Sequence, residues 1–174
     1  MGGVFAGLLG CGKHWTPHPS AWRIVAHPTA GFNVQIPPEW SENSKSKFFQ
    51  LVAPNDHASV TISAYRSGGN PFADFVEHRF QAVEDLYRQT DERRIQEPPE
   101  MVVRQYQGIW PNETSTTLYV VACINLRDVY VSSGLVTTPE YYREHEAELQ
   151  KILRSINRNS EPPVGSAGKP APQP

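Results

Sequence analysis

The chain has 174 residues, 39% of them hydrophobic, and a formal net charge of −2 with acids and bases interleaved rather than blocked. That length suits one domain with some left over for tails. It carries no basic stripe of the kind nucleic-acid binders show and no apolar run near the roughly 20 residues a membrane-spanning helix needs, so both of those classes are set aside.

In chain order, the first feature is Leu8-Leu9-Gly10-Cys11. It resembles the motif that ends bacterial lipoprotein signals, where a small-residue segment fits the peptidase and the thiol accepts a diacylglycerol. The preceding GGVFAGLLG is apolar like a secretory core region, and the following GKHWTPHPSAW is polar and proline-punctuated, like a tether. The expectation is a signal-like segment and tether over residues 1–20, with Cys11 as the lipid attachment site. No Lys or Arg precedes the apolar stretch; a start codon further upstream would supply them. The alternative is a cytosolic protein in which Cys11 is incidental.

WRIVAH (22–27) reads as a first strand or lead-in. GFNVQIP (31–37) alternates, with Phe32, Val34 and Ile36 on one face and Asn33 and Gln35 on the other, the period of a half-buried strand. Pro37-Pro38 ends it and Trp40 closes the end of the core. After a polar loop, FFQLVAP (48–54) and ASVTISAYR (58–66) form a hairpin across Asn55-Asp56.

SGGNP then opens a helix, with Asn70 as N-cap and Pro71 at its first position. Phe72, Phe75, Val76, Phe80, Val83, Leu86 and Tyr87 make its apolar stripe, and QTDERR closes it. The stretch RRIQEPPEMVVRQYQGIW reads as a strand, or two, kinked at Pro98-Pro99. STTLYVVACINL (115–126), apolar on both faces, is a central strand covered on both sides. Arg127-Asp128 turns into VYVSSGLVTT (129–138). The last helix starts at Thr138-Pro139, or at a Thr137–Glu140 capping box, and buries Tyr142, His145, Leu149, Ile152, Leu153 and Ile156. From Asn157 on, the chain reads as tail.

Hairpins without a βαβ rhythm imply an α+β domain: a mainly antiparallel sheet sandwiched by helices over residues 21–157, followed by a Pro-rich disordered tail over 158–174. With its parts in this order the chain resembles the Mog/PsbP-like superfold, which covers PsbP proteins, Ran-binding Mog proteins and DcrB-type bacterial proteins, many of them envelope lipoproteins. The residues that carry the likeness are GFNVQIPPEW, the hairpin FFQLVAPNDHASVTISAY, and YVVACINLRDVYVSSGLVTTPEYY, within about residues 30–156. The resemblance implies a PsbP-like α/β/α sandwich, closest in pattern to the DcrB-type envelope lipoproteins. That superfold has no shared catalytic motif, so no catalytic residue is carried over.

The residues themselves offer little reaction chemistry. His14 and His18 are separated by Pro17, Asp56-His57 sits at a hairpin turn, Glu77-His78 lie on a solvated helix face, and Ser132-Ser133-Gly134 lacks a nucleophile elbow. No metal site or cofactor is expected. Cys123, inside a strand-like run, is a small buried side chain. The better candidates are aromatic: Trp40, Tyr65, Tyr106, Trp110 and Tyr119 stand near strand ends or opposite the apolar faces, where a protein partner would dock. The leading expectation is a non-enzymatic, lipid-anchored envelope protein that presents this domain to a protein partner. A cytosolic adaptor or secretion-related chaperone of the same fold comes next, and a small hydrolase last.

Overall fold

The computed structural model describes residues 21–27, 29–43, 49–96, 99–109 and 114–158. Strand β1 (Arg23–Ala26) pairs antiparallel with β2 (Phe32–Ile36). The alternation read from GFNVQIP is real: Phe32, Val34 and Ile36 are fully buried. Next come β3 (Ser41–Glu42), β4 (Phe49–Val52) and β5 (Ala58–Arg66). The β4–β5 hairpin turns through a 3-10 segment, Pro54–Asp56, with Asn55 and Asp56 at positive φ, a conformation Asn and Asp tolerate better than most residues.

Helix α1 (Phe72–Glu84) starts one residue later than the cap grammar implies. Asn70 is engaged in a tight turn, its N–H donating to the Ser67 carbonyl, with Gly68 and Gly69 at φ of 57° and 82°. Its own carbonyl accepts the Tyr130 hydroxyl at 2.6 Å. Pro71 takes the capping position and no side chain caps the helix.

The QTDERR run lies in strand β6 (Arg88–Ile95), not at the end of a helix. It forms the outer edge of the sheet and pairs with β7 (Met101–Ile109) around a bulge at Gln89/Asp91. An edge strand dense in charge shows no apolar period, and the charge protects its free edge from pairing with other chains. Strand β8 (Thr116–Asn125) then pairs with β9 (Val129–Thr137) across a tight turn in which Arg127 takes φ of 74°.

Helix α2 (Pro139–Arg154) is capped by the Thr138 hydroxyl, which accepts from the Tyr141 N–H, with Pro139 in the first turn. Its stripe buries Tyr142, Leu149, Ile152 and Leu153. His145 departs from that stripe. It is half-buried, sits at non-helical φ and ψ of −117° and 16°, and stacks on Tyr141 at 4.2 Å. Asn157 and Arg158 are not tail; they form β10 (Asn157–Arg158), paired with β2.

All strand pairings are antiparallel: a seven-stranded sheet ordered β3-β4-β5-β9-β8-β7-β6 and a small sheet ordered β1-β2-β10. One face of the large sheet packs against α2 and β2, burying Leu51, Ile62, Val120, Ile124 and Leu135 with Phe32, Val34, Leu149 and Ile152. The other face packs against α1, burying Val102, Tyr106, Val121 and Cys123 with Phe72, Val76 and Phe80. Strand β8 feeds both cores, as its two-faced apolar sequence requires. The architecture is an α/β/α sandwich.

Two of the expected docking aromatics are core residues. Trp40 is only 2% exposed, its indole N–H donating to Glu148 at 3.3 Å, and it closes one end of the α2-side core. Tyr106 is fully buried under α1, 6.4 Å from Phe80 between ring centres. It shares a face with Val102 and Arg104, and that is the face α1 covers. Neither ring offers surface to a partner.

Candidate functional site

Helix α1 lies over the β7–β8–β9 part of its face and leaves the sheet open beyond its C-terminal half. The result is a groove of about 570 Å³ lined by Thr61, Arg79, Ala82, Val83, Leu86, Tyr87, Ile109, Tyr119, Gly134 and Val136. Five elements and the turn after α1 contribute.

Two glycines permit this shape. At Gly134, in the middle of β9, an added Cβ would meet the Tyr119 hydroxyl at 2.5 Å and its ring carbons at 3.0 and 3.1 Å. The bare backbone lets the Tyr119 ring lie across the strand as the floor of the groove. At Gly108 an added Cβ would fall 2.6 Å from the Tyr87 ring, so Tyr87 packs down on β7 by the same device. The two tyrosine rings are 5.9 Å apart.

The rim is apolar. Leu86 is 68% and Ile109 59% exposed, two of the few large hydrophobics left in solvent among the described residues. Leu86 falls in the turn after α1, where the helical phase that assigned it to the buried stripe no longer holds. Tyr65, 37% exposed, stands toward the other end of the same face, against Phe75 at 5.4 Å and under the Arg79 guanidinium at 5.2 Å. Arg79 is half-buried and donates from Nε to the Ser132 hydroxyl at 3.3 Å. Burial raises the pKa of Tyr119, so its phenol is a neutral hydrogen-bonding group at physiological pH.

Beside the groove lies a second polar feature, hidden from sequence reasoning. Arg104 points into the α1-side core; it donates to Glu92 at 2.6 Å and to Glu84 at 2.8 Å, meets Glu77 at 3.4 Å, and lies 4.2 Å over the Phe80 ring. It ties the edge strand β6 to α1 and β7. With its hydrogen bonds directed to protein carboxylates and to Tyr106, the cluster is structural.

Among the described residues the reaction chemistry weighed from sequence is not brought together. His57 is exposed and stacks on Tyr141 at 5.3 Å, on the α2 side. His78 and Glu77 lie on exposed α1 surface. Burial pushes the Cys123 thiol up to about 12, so it stays protonated and unreactive. Ser132 accepts from Arg79 and Ser133 faces the opposite core, its hydroxyl without a partner among the described residues. Among the described residues no group of three or more His, Cys, Asp and Glu side chains could hold a metal, and no helix is long and apolar enough to cross a membrane. Cys11, Trp110, His14 and His18 lie outside the described residues.

The groove itself is only partly visible in the sequence. Tyr119 and Tyr65 are among the aromatic candidates, but Leu86, Ile109 and Gly134 are not. Gly134 carries a usable signal, since a glycine inside a strand marks a close approach.

No family model matches the chain, and no curated protein matches it by sequence. Solved structures do. A Pseudomonas aeruginosa protein of unknown function is 23% identical, with a TM-score of 0.52 over 81% of this chain and 98% of its own. LpqN of Mycobacterium tuberculosis, a protein involved in cell envelope biogenesis, is 10% identical with a TM-score of 0.63 over 80% of this chain and 91% of its own. The PsbP of Synechocystis is 10% identical with a TM-score of 0.61 over 86% and 99%, and the Ran-binding protein Mog1p of Saccharomyces cerevisiae 11% identical with 0.55 over 79% and 95%. The chain has the fold these proteins share. At such identities the likeness carries fold alone.

Proposed function

We propose that this PsbP/Mog-fold chain is a non-enzymatic envelope protein, held to the membrane by a lipid on Cys11, whose α1 face binds a protein partner. The observation that carries the reading is the pair Leu86 and Ile109, exposed together on the rim of an apolar groove while most other large apolar side chains point inward. Tyr65 extends that surface, and the reading includes Trp110, next in sequence to Ile109. Among proteins of this fold, LpqN is involved in cell envelope biogenesis and Mog1p binds Ran. Both support the reading. So does the scatter of the His, Ser and acid side chains among the described residues, where no nucleophile–base pair comes together.

The test has two arms. In cells fed labelled palmitate, the chain takes up label and Cys11→Ser does not; an unlabelled, freely soluble wild type overturns the anchor and leaves a cytosolic adaptor of the same fold. A photo-reactive amino acid at Ile109 is expected to give a discrete protein adduct in intact cells, and the same group at Arg143, exposed on α2, none. Equal labelling at both positions, or at neither, overturns the partner surface.

A further inference from the structure

Apart from Arg79, the residues that line the groove are uncharged, and most are apolar. Its floor is formed by the faces of β5, β9 and β8, whose backbones are already paired on both sides. The helix wall spends its own amides internally. A peptide laid into this groove would therefore find almost no backbone partners, and its amides would be buried unpaired. An aliphatic chain has no such groups to satisfy.

Arg79 supplies a polar end. Its guanidinium lies over the Tyr65 ring, and of its hydrogen-bond donors only Nε is engaged among the described residues, with Ser132. Among the described residues no carboxylate pairs with it, whereas Arg104 on the same face meets three. A half-buried guanidinium keeps its terminal donors, in a fork that matches a carboxylate. Thr61 and the Tyr119 hydroxyl stand in the same lining as further polar partners. The unpaired cation calls for one anionic group, and the rest of the lining calls for a hydrocarbon.

We infer that the groove binds one free long-chain fatty acid, its carboxylate on Arg79 and its tail over Tyr119, Gly134 and Val136 toward Leu86 and Ile109. This goes beyond the protein-binding reading and depends on neither the anchor nor a partner.

The experiment uses the purified full chain and a dansyl-labelled undecanoic acid, followed by fluorescence and displaced by hexadecanoate. Saturable binding of one molecule per chain is expected, with hexadecanoate competing. Arg79→Gln weakens hexadecanoate about tenfold or more, the loss of a charge-assisted contact, and leaves the uncharged hexadecanol unchanged. Ala82→Trp fills the groove from an exposed wall position and removes binding of both, while its urea midpoint stays that of the wild type. No saturable binding, an Arg79→Gln loss shared by the alcohol, or an apolar peptide with an amidated end displacing the probe better than hexadecanoate would each overturn the assignment. Because the purified chain is sufficient, a negative result here leaves the partner-surface experiment standing, and the reverse holds too.

Discussion

Replacing Arg104 by Met keeps most of the hydrocarbon volume and removes the charge that three carboxylates share. The Arg104 side chain is 10% exposed, and its carboxylates range from 26% at Glu92 to 44% at Glu84 and 65% at Glu77. Glu77 and Glu84 turn readily to water, so each contact is worth only a few tenths of a kcal/mol, as surface pairs are. Glu92, at 2.6 Å and mostly covered, keeps a larger share, about 1.5–2 kcal/mol. The guanidinium over Phe80 adds about 0.5–1 kcal/mol. The expected loss is about 2.5–4 kcal/mol, a shift of the urea midpoint by about 1–2 M at neutral pH.

The same cluster dictates a pH signature. Hydrogen bonds from Arg94 and then Arg104 hold the Glu92 carboxyl below its ordinary value of 4.5. A carboxyl with a depressed folded pKa contributes stability above its unfolded value and loses it as pH falls through the folded one. Arg94 still holds Glu92 in Arg104→Met, so only the Arg104 share titrates: the gap between wild type and Arg104→Met is full at pH 7 and narrows as pH falls below 4.5. An unchanged midpoint, or a gap of equal size at pH 7 and pH 4, would refute the account of the cluster.

Two further outcomes are expected. Ser133 is fully buried on the α2 side with a hydroxyl that finds no partner among the described residues, so Ser133→Ala is neutral or stabilises by about 1 kcal/mol in urea unfolding, and a clear destabilisation contradicts this. The His27 Nδ1 accepts the Thr29 and Ala30 N–H groups at 3.2 and 3.0 Å, and burial lowers the pKa of the ring below 6.5. Here the unfolded chain takes up the proton first, so stability present above pH 6.5 is lost as pH falls through the folded value. His27→Asn, whose side-chain carbonyl accepts the same turn amides, flattens the slope of the urea midpoint between pH 7 and pH 5; an identical slope in both proteins counts against the role.

Much of the fold was legible because it repeats a short period. The alternation of Phe32, Val34 and Ile36 located β2, the stripe through Phe72, Val76 and Phe80 located α1, and the two-faced run of β8 announced layers on both sides. Edge strand β6 was not legible, since its charges serve a free edge instead of a core. Arg104 and Tyr106 were hidden for a related reason. Their parity with Val102 was plain, but which face of β7 a helix would cover was not, and a buried guanidinium is tolerated only because β6 and α1 bring carboxylates to it from 12 and 20 residues away.

The sequence by itself determined most of the local elements and their antiparallel order, because dihedral preference and apolar period act over a few residues. Only the tertiary structure decided that Trp40 and Tyr106 fill cores, that Leu86 and Ile109 stay in water, and that Tyr119 can lie flat on Gly134 to floor a groove ending at Arg79. Those outcomes depend on how far α1 extends across a twisted sheet, a distance between segments that no window of neighbouring residues contains.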